Sequence, residues 1–261
     1  VSTAYSGDDG LTLVEYAPIG VFGSITPSTN PAATVINNSI SLIAAGNTVI
    51  YNPHPSAKRV SIQTLQLLNQ AIVDAGGPEN TLTSVAAPNL ETSAQVMNHS
   101  QVNALVVTGG GPVVKAAMAV GKKVIAAGPG NPPVVVDETA IISKAAADIV
   151  KGASFDNNVL CTAEKEVFVV DKAANALKAE MVKNGAIELK GFQFEKLLEK
   201  VLVKKNEKFY PNRDFIGKDA SVILQAAGIQ ANPNVKLIIA ETTKDHPLVM
   251  TEMLMPILPI V

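Results

Sequence analysis

The chain has 261 residues, of which 47% are hydrophobic and 17% charged, and its formal net charge is −2. This length is enough for one or two domains with a large buried core. The near balance of charge excludes the strongly basic surface that nucleic-acid and anionic-membrane binders need. A single cysteine excludes a disulfide scaffold and a multi-thiolate metal site, and it fits a reducing, cytoplasmic setting.

The two ends of the sequence suggest a piece of a longer protein. No apolar run reaches the ~18–20 residues of a membrane span, and no charged segment followed by an apolar one opens the chain, so we expect neither a membrane anchor nor a signal peptide. The chain starts at a valine and stops inside an apolar, strand-like run. A domain that ended there would leave an unpaired apolar strand exposed, so we expect a fragment.

Short apolar strands alternate with helical stretches in the first half, which is typical of an α/β protein with a mostly parallel sheet. The predicted strands are 18–26, 48–51, 103–108 and 123–126, and the predicted helices are 32–45, 56–75 and 112–120. Ser56 is expected to cap the second of these helices. The prolines of Asn52-Pro53-His54-Pro55 are expected to stop strand pairing, because proline has no N–H to donate.

The second half continues the alternation, with rising lysine density and fewer glycines after about Gly130, which indicates a domain boundary there. The predicted helices are 138–154, 173–183, 194–204 and 219–227, and the predicted strands are 166–170 and 235–240. The lysine-rich run 190–208 also contains glutamates, so it is interpreted as a solvated helix face and not as a polyanion site.

A glycine-rich turn, Gly109-Gly110-Gly111, lies between a predicted strand and a predicted helix. This layout directs free backbone N–H groups and a positive helix end at an anion, and glycine allows close approach of a phosphate. The turn fits neither usual nucleotide-binding fingerprint. A tight strand-to-helix turn without a ligand is therefore an equally open interpretation.

Cys161 lies in Asn157-Asn158-Val159-Leu160-Cys161-Thr162-Ala163, between a predicted helix and a predicted strand. A loop cysteine among polar neighbours is a candidate thiolate nucleophile, although a lone cysteine is often an inert buried residue. The three histidines, His54, His99 and His246, have no metal-ligand spacing, so no metal site is expected. No Asp or Glu occurs between Glu91 and Asp137, so this region supplies no carboxylate base.

Taken together, these segments resemble the aldehyde dehydrogenase superfamily, and most closely its CoA-acylating branch of propionaldehyde and acetaldehyde dehydrogenases. The matching stretches are 25–31 (ITPSTNP), 52–55 (NPHP), 107–111 (VTGGG), 127–132 (AGPGNP), 158–165 (NVLCTAEK) and 251–256 (TEMLMP). Their order and spacing also agree, so the resemblance covers essentially the whole chain.

The resemblance implies a role for each matching residue. Cys161 takes the place of the nucleophile, and Asn30, or alternatively Thr29, that of the amide that stabilises the oxyanion. The implied cofactor-binding residues are Thr26, Pro27, Ser28, His54, Thr108, Gly109, Gly110 and Glu252, with Glu252 on a ribose. The implied cofactors are NAD, with NADP as an alternative, and coenzyme A as the acyl acceptor.

Two departures from hydrolytic members of the superfamily bear on the reaction. Ala126 or Ala127 stands where those enzymes carry a glutamate base just before Gly128. Without that base water is poorly activated, whereas a thiol acceptor needs less help because thiolate is a strong nucleophile. Asn52, with His54 nearby, stands where those enzymes carry a lysine that contacts the adenosine ribose, which leaves the choice between NAD and NADP open.

The expected fold is a Rossmann-like cofactor domain, 19–129, followed by an α/β catalytic cysteine domain, 130–261, both partial. Residues 1–18 resemble part of the hairpin that bridges subunits, so we expect a dimer or tetramer. The expected function is NAD-dependent oxidation of a short-chain aldehyde to acyl-CoA, in the cytoplasm or inside a bacterial microcompartment. The alternatives are a hydrolytic aldehyde dehydrogenase, a glutamyl-phosphate reductase-like enzyme, and an inactive nucleotide-binding or assembly fragment.

Overall fold

The structure is a computed structural model that describes residues 2–261, and the chain divides into two compact units, with the boundary between Pro129 and Gly130. Each unit contains a five-stranded sheet in which all strands are parallel, flanked by helices. The predicted α/β class is therefore confirmed. None of the helices in residues 2–261 is long and apolar enough to span a membrane.

The first unit opens with an antiparallel hairpin of β1 (Ser2–Gly7) and β2 (Gly10–Glu15). Every residue of both strands is exposed, and the exposed side chains include Tyr5, Leu11 and Leu13. Apolar side chains on an isolated hairpin have nothing to pack against, which is the pattern of a surface that another molecule covers. The expected hairpin begins at residue 1, which lies outside the described residues.

The sheet of the first unit is built from the centre outwards. Its strands are β3 (Val21–Thr26), β4 (Thr48–Pro53), β5 (Leu82–Ser84), β6 (Ala104–Thr108) and β7 (Lys123–Ala127), and its helices are α1 (Pro31–Ala44), α2 (Lys58–Asp74), α3 (Leu90–Asn98) and α4 (Gly111–Met118). The spatial order is β5-β4-β3-β6-β7, so the chain moves outwards on one side of β3 and then on the other. Phe22, Tyr51, Leu105 and Val107 are buried in its core, on strands that read as nearly continuous apolar runs.

Two sequence expectations about the end of β4 are wrong. The pairing of β4 with β3 continues to Pro53. In β4 the backbone N–H groups point alternately towards β3 and towards β5. The N–H that Pro53 lacks would point towards β5, which has already ended at Ser84, so no hydrogen bond is lost. Ser56 does not cap α2; it lies in a short 3-10 turn, Pro55–Ala57, and its backbone N–H donates to His54 Nδ1 at 3.2 Å.

The second unit is an independent α/β layer. Its strands are β8 (Pro133–Val136), β9 (Glu166–Val169), β10 (Ala186–Glu188), β11 (Leu202–Lys205), β12 (Lys208–Pro211), β13 (Leu237–Glu241) and β14 (Ile257–Ile260), and its helices are α5 (Ile142–Ser154), α6 (Asp171–Lys183), α7 (Gly191–Val201), α8 (Ala220–Ala226) and α9 (Pro247–Met250). The parallel sheet has the order β10-β13-β14-β9-β8, and β11 and β12 form a separate antiparallel hairpin.

One further expectation fails in this unit. The predicted helix 194–204 ends at Val201, and residues 202–205 form a strand, because Asn206 and Glu207 adopt left-handed φ values of 47° and 62° that close a hairpin. The apolar run at the end of the sequence is not an exposed edge. It forms β14, which is buried between β13 and β9 in the middle of the sheet.

Candidate functional site

The first unit places two of the predicted cofactor-binding segments side by side. Strands β3 and β6 are neighbours, with Ile25 opposite Val107. Thr26, Pro27 and Ser28 therefore lie next to Thr108, Gly109 and Gly110 at the carboxyl end of the sheet. The chain reverses its direction of travel between these two strands, and ligands of open parallel sheets bind in the crevice at such a switch point.

The glycine-rich turn presents bare backbone at this crevice. Gly110 is the N-cap of α4, with Pro112 in its first turn. A Cβ added at Gly109 or Gly110 would meet no described atom closer than 3.8 Å, and one at Gly111 would meet none within 4 Å. Open space, a helix N-terminus and glycine backbone together suit the close approach of an anionic group.

Thr26, the last residue of β3, carries an unpaired polar group. The residue is 2% exposed, and its Oγ1 has no hydrogen-bond partner among the described residues. A buried hydroxyl without a partner costs free energy, on the order of 1–3 kcal/mol, so such an atom in a native structure calls for a ligand or a bound water.

His54 follows β4, the other neighbour of β3, and its side chain is exposed. Its Nδ1 lies 2.7 Å from Ser56 Oγ. Asn52 is 2% exposed, and both polar atoms of its side chain are hydrogen-bonded within the protein. Its Nδ2 donates to Ser93 Oγ at 2.7 Å, and its Oδ1 accepts from Thr92 Oγ1 at 2.7 Å. Of the two residues that stand near the position of the family's ribose-binding lysine, His54 is therefore the one whose side chain is exposed to a ligand.

Asn30 is the N-cap of α1, and within residues 2–261 its side chain makes no capping hydrogen bond. Its Oδ1 accepts from Thr29 Oγ1 at 3.2 Å, while its backbone oxygen accepts from Thr34. Because the Thr29 hydroxyl donates to Asn30, the Asn30 Nδ2 is the better hydrogen-bond donor for a developing oxyanion, which favours Asn30 over Thr29.

In the second unit, the loop that carries Cys161 follows α5 through three successive left-handed residues. Asp156, Asn157 and Asn158 have φ values of 49°, 51° and 61°. Asp and Asn tolerate this conformation better than other non-glycine residues, because their short polar side chains bond locally. Asn157 Nδ2 donates to Gly217 O at 3.1 Å. Asn158 Nδ2 donates to the carbonyl oxygens of Ala153 and Glu164.

Three glycines make room for this loop. A Cβ added at Gly130 would lie 2.5 Å from the carbonyl oxygen of Cys161, and one at Gly217 would lie 2.8 Å from Val159 Cγ2. A Cβ at Gly152 would overlap the Glu164 carboxylate. Cys161 itself is partly exposed. The loop is therefore fixed from several sides, while Cys161 remains partly exposed.

A buried lysine lies behind the loop. Lys165 is 4% exposed, and its Nζ donates to Asn158 O at 2.7 Å, to Asn158 Oδ1 and to Leu160 O at 2.9 Å. Burial lowers the pKa of Lys165 to about 8, and the negative charges of Glu252 and Cys161 oppose that shift. Cys161 and Glu252 thus both interact electrostatically with one ammonium group.

Two carboxyl groups in this unit have raised pKa values. Burial raises the pKa of Glu166 to about 7, against the opposing charge of Lys165, and Glu166 Oε2 has no partner in the described part of the chain. Burial also raises the pKa of Glu252, while Lys165 and the Gly130 N–H lower it. Perturbed titratable groups around a partly exposed thiol are typical of an active site.

The sequence analysis missed Lys165, Asn158 and Glu166 as parts of this site. The available signal was the pair Lys165-Glu166 directly before the apolar run Val167-Phe168-Val169. Charged residues at the start of a buried central strand need partners, because isolated charges are rarely buried. Within residues 2–261 no group of three metal-ligating side chains occurs.

The chain is similar in sequence and in structure to known proteins. A model of the aldehyde dehydrogenase family matches residues 2–190. The chain is 52% identical to "Acetaldehyde dehydrogenase (acetylating) EutE" of Escherichia coli (strain K12), over 98% of this chain and 56% of that protein.

Two solved structures superpose on the entire chain. A propionaldehyde dehydrogenase of Rhodopseudomonas palustris with bound propionyl-CoA has a TM-score of 0.93 and 48% identity, and the match covers 57% of it. A propionaldehyde dehydrogenase from the Clostridium phytofermentans fucose utilisation bacterial microcompartment has a TM-score of 0.93 and 49% identity, with 59% covered. The chain therefore spans just over half the length of these relatives. With the family model matching well over half of its residues, this chain belongs to the aldehyde dehydrogenase family.

Proposed function

We propose that this chain is part of a CoA-acylating aldehyde dehydrogenase that oxidises a short-chain aldehyde, propanal or acetaldehyde, to acyl-CoA. The observation that carries the proposal is the Cys161 loop, which holds the only cysteine of the sequence, partly exposed, next to a buried lysine. The similarity to acetylating and propionaldehyde dehydrogenases supports the same reaction.

The first unit, from residue 19 to 129, is proposed to bind the dinucleotide, and the second unit to supply the thiol. The unpaired Thr26 hydroxyl and the open backbone at Gly109 and Gly110 fit a pyrophosphate, with Pro27, Ser28 and Thr108 beside them. His54 and Glu252 are proposed to contact the ribose groups. NAD, when bound, accepts the hydride from the substrate carbon, and NADP is the alternative cofactor.

Cys161 is proposed to attack the aldehyde carbonyl as a thiolate, forming a C–S bond while the carbonyl electron pair moves to oxygen. The Asn30 amide donates to this oxyanion, and one such donor is commonly worth ~3 kcal/mol. Loss of hydride from the same carbon leaves a thioester on Cys161. The CoA thiolate then attacks the thioester carbonyl, the bond to Cys161 breaks, and the Cys161 thiolate is regenerated.

The residues before Gly128 indicate which molecule accepts the acyl group from Cys161. Ala126 and Ala127 offer no carboxylate to deprotonate water, and both are the last residues of β7. A thiolate acceptor needs no such base near neutral pH. We therefore assign acyl transfer to CoA and not release of a free acid.

The hairpin of residues 2–15 is proposed to pack against a second copy of the chain in a dimer or tetramer, because its apolar side chains are exposed on the first unit. A cytoplasmic location, including the interior of a bacterial microcompartment, is proposed from the similarity to the enzyme of the Clostridium phytofermentans microcompartment.

A product assay tests the function. The chain is incubated with propanal and NAD, with added CoA, with added phosphate, or with neither, and NADH and acyl products are measured. We expect propionyl-CoA only with CoA. Free acid without CoA would indicate a hydrolytic enzyme, an acyl phosphate would indicate a phosphate-dependent one, and dinucleotide binding without turnover would indicate a binding module.

The matched variant is Cys161→Ala. We expect it to lower the rate of NADH formation by at least about 10³-fold, because the covalent step is lost, while calorimetry still detects NAD binding. Turnover retained in this variant would reject the proposed mechanism.

A further inference from the structure

We infer that Lys165 is a positioning residue for Cys161, which holds the nucleophile loop in one conformation. This inference rests on the proposed function in that it takes Cys161 as the nucleophile. It concerns a side chain that lies four residues after Cys161 and that does not itself need to touch a substrate.

The hydrogen bonds of Lys165 fix the backbone immediately before Cys161. An ammonium has three donors, and all three are used, on two oxygens of Asn158 and on the carbonyl of Leu160. The Leu160 carbonyl also accepts from the Ala163 N–H at 3.1 Å, which closes the turn that contains Cys161. One side chain therefore ties the left-handed Asn158 to the turn that presents the thiol.

Burying the ammonium group of Lys165 costs free energy, which indicates that its position has a function. Lys165 is 4% exposed, and an ammonium taken out of water is stabilised only if its donors and its charge are matched. The groups that face it with negative charge are Glu252, Cys161, Glu164 and Glu166.

Because burial lowers the pKa of Lys165 to about 8, the charge of this side chain is sensitive to mildly alkaline pH. Below that value Lys165 is an ammonium with three donors. Above it the neutral amine has one donor fewer, so one of the three hydrogen bonds that hold the loop is lost. The influence of Lys165 on Cys161 should therefore be strong near neutral pH and weak well above pH 8.

Alkylation of the thiol measures this influence directly. Cys161 is the only cysteine of the chain, so the mass added by iodoacetamide reports on one atom. We expect Lys165→Met to change the alkylation rate about three- to tenfold at about pH 7, because the loop that presents the thiol loses three hydrogen bonds. At about pH 9.5, where Lys165 of the unchanged chain is largely neutral, the difference should shrink to less than about twofold. Lys165→Arg, which keeps the charge, should restore the rate at about pH 7 to within about threefold.

Lys178 provides the matched control. It is also a buried lysine of the second unit, 6% exposed, but it pairs with Glu188 and Glu241. Lys178→Met should lower the free energy of unfolding and leave the alkylation rate of the folded chain unchanged. If Lys165→Met does not fold, Lys165→Gln is the neutral variant to use, because it retains two donors for the buried oxygens.

An alkylation rate at about pH 7 that is unchanged in the neutral Lys165 variants overturns the inference, as does a change of equal size at both pH values or an equal change in Lys178→Met. Alkylation requires neither aldehyde nor cofactor. A chain that alkylates as expected but forms no acyl-CoA contradicts the proposed function and leaves the role of Lys165 intact.

Discussion

The two units build their candidate sites in opposite ways. In the first unit the crevice at β3 and β6 is open, because Gly109, Gly110 and Gly111 have no side chains to fill it. The Thr26 hydroxyl of this unit has no hydrogen-bond partner in the described chain. In the second unit the Cys161 loop is crowded: side chains tie it down, and a Cβ added at Gly130 would overlap the loop.

This difference corresponds to two kinds of task. Binding a large anionic ligand through backbone N–H groups needs exposed peptide groups and few side chains. A nucleophile needs its reacting atom held in one place, because a displacement of about 1 Å can cost a factor of about 10² in rate. An extra methyl group should therefore be tolerated in the open turns and not in the crowded loop.

Gly130→Ala should break the crowded site and cause a large loss of rate. Its Cβ would lie 2.5 Å from the carbonyl oxygen of Cys161, so the loop must shift. We expect kcat for acyl-CoA formation to fall about 10²-fold, with dinucleotide affinity little changed. Steady-state kinetics and NAD titration measure the two quantities.

Gly128→Ala is the matched control, two residues earlier in the same glycine-rich segment. Among the described residues no atom lies within 4 Å of its added Cβ. We expect its kcat to stay within about twofold of the unchanged chain. Equal losses in the two variants would mean that the segment as a whole, and not contact with the loop, sets the rate.

The buried carboxyl group of Glu166, in the crowded second unit, should make the free energy of unfolding depend on pH. Its pKa is raised to about 7 in the folded chain, above the ordinary value of 4.5, because the carboxyl group is buried. The folded chain therefore binds more protons than the unfolded chain between these values. The stabilising contribution is complete below about pH 4.5 and is lost as the pH rises through 7. The expected loss is about 2–3 kcal/mol.

Urea unfolding of Glu166→Gln at about pH 5 and about pH 8 should show a smaller decline in stability than the unchanged chain, since glutamine carries no charge to bury. Glu138→Gln, a change at an exposed carboxylate, should leave the decline unaltered. If both variants keep the full decline, other carboxyl groups are responsible.

The sequence predicted the first unit better than the second, for physical reasons. Strands that alternate with helices and end in glycine or proline are local patterns, so the position of the triple-glycine turn could be predicted. The pairing of Lys165 with Asn158 depends on three left-handed residues, which no periodicity reveals. The central place of β14 depends on tertiary pairing, so an apolar terminal run could not be distinguished from an exposed edge.

Thr26→Val tests the open site of the first unit by removing a single hydroxyl group, and it has the smallest expected effect. Valine has nearly the same shape as threonine but no hydroxyl, so the substitution removes an unpaired buried oxygen. We expect the free energy of unfolding to rise by about 1 kcal/mol. If that hydroxyl serves the dinucleotide, affinity for NAD should fall about fivefold, corresponding to the loss of one hydrogen bond of about 1 kcal/mol.

Ser61→Ala separates the two effects. Ser61 Oγ is also buried without a hydrogen-bond partner within residues 2–261, but it lies in α2 and not in β3. Its removal should change stability by a similar amount and leave NAD affinity unaltered. Because both variants delete one unpaired hydroxyl, a loss of affinity in Thr26→Val alone assigns the Thr26 hydroxyl to the ligand. Equal NAD affinities in the two variants would indicate that the Thr26 hydroxyl bonds to a buried water and not to the dinucleotide.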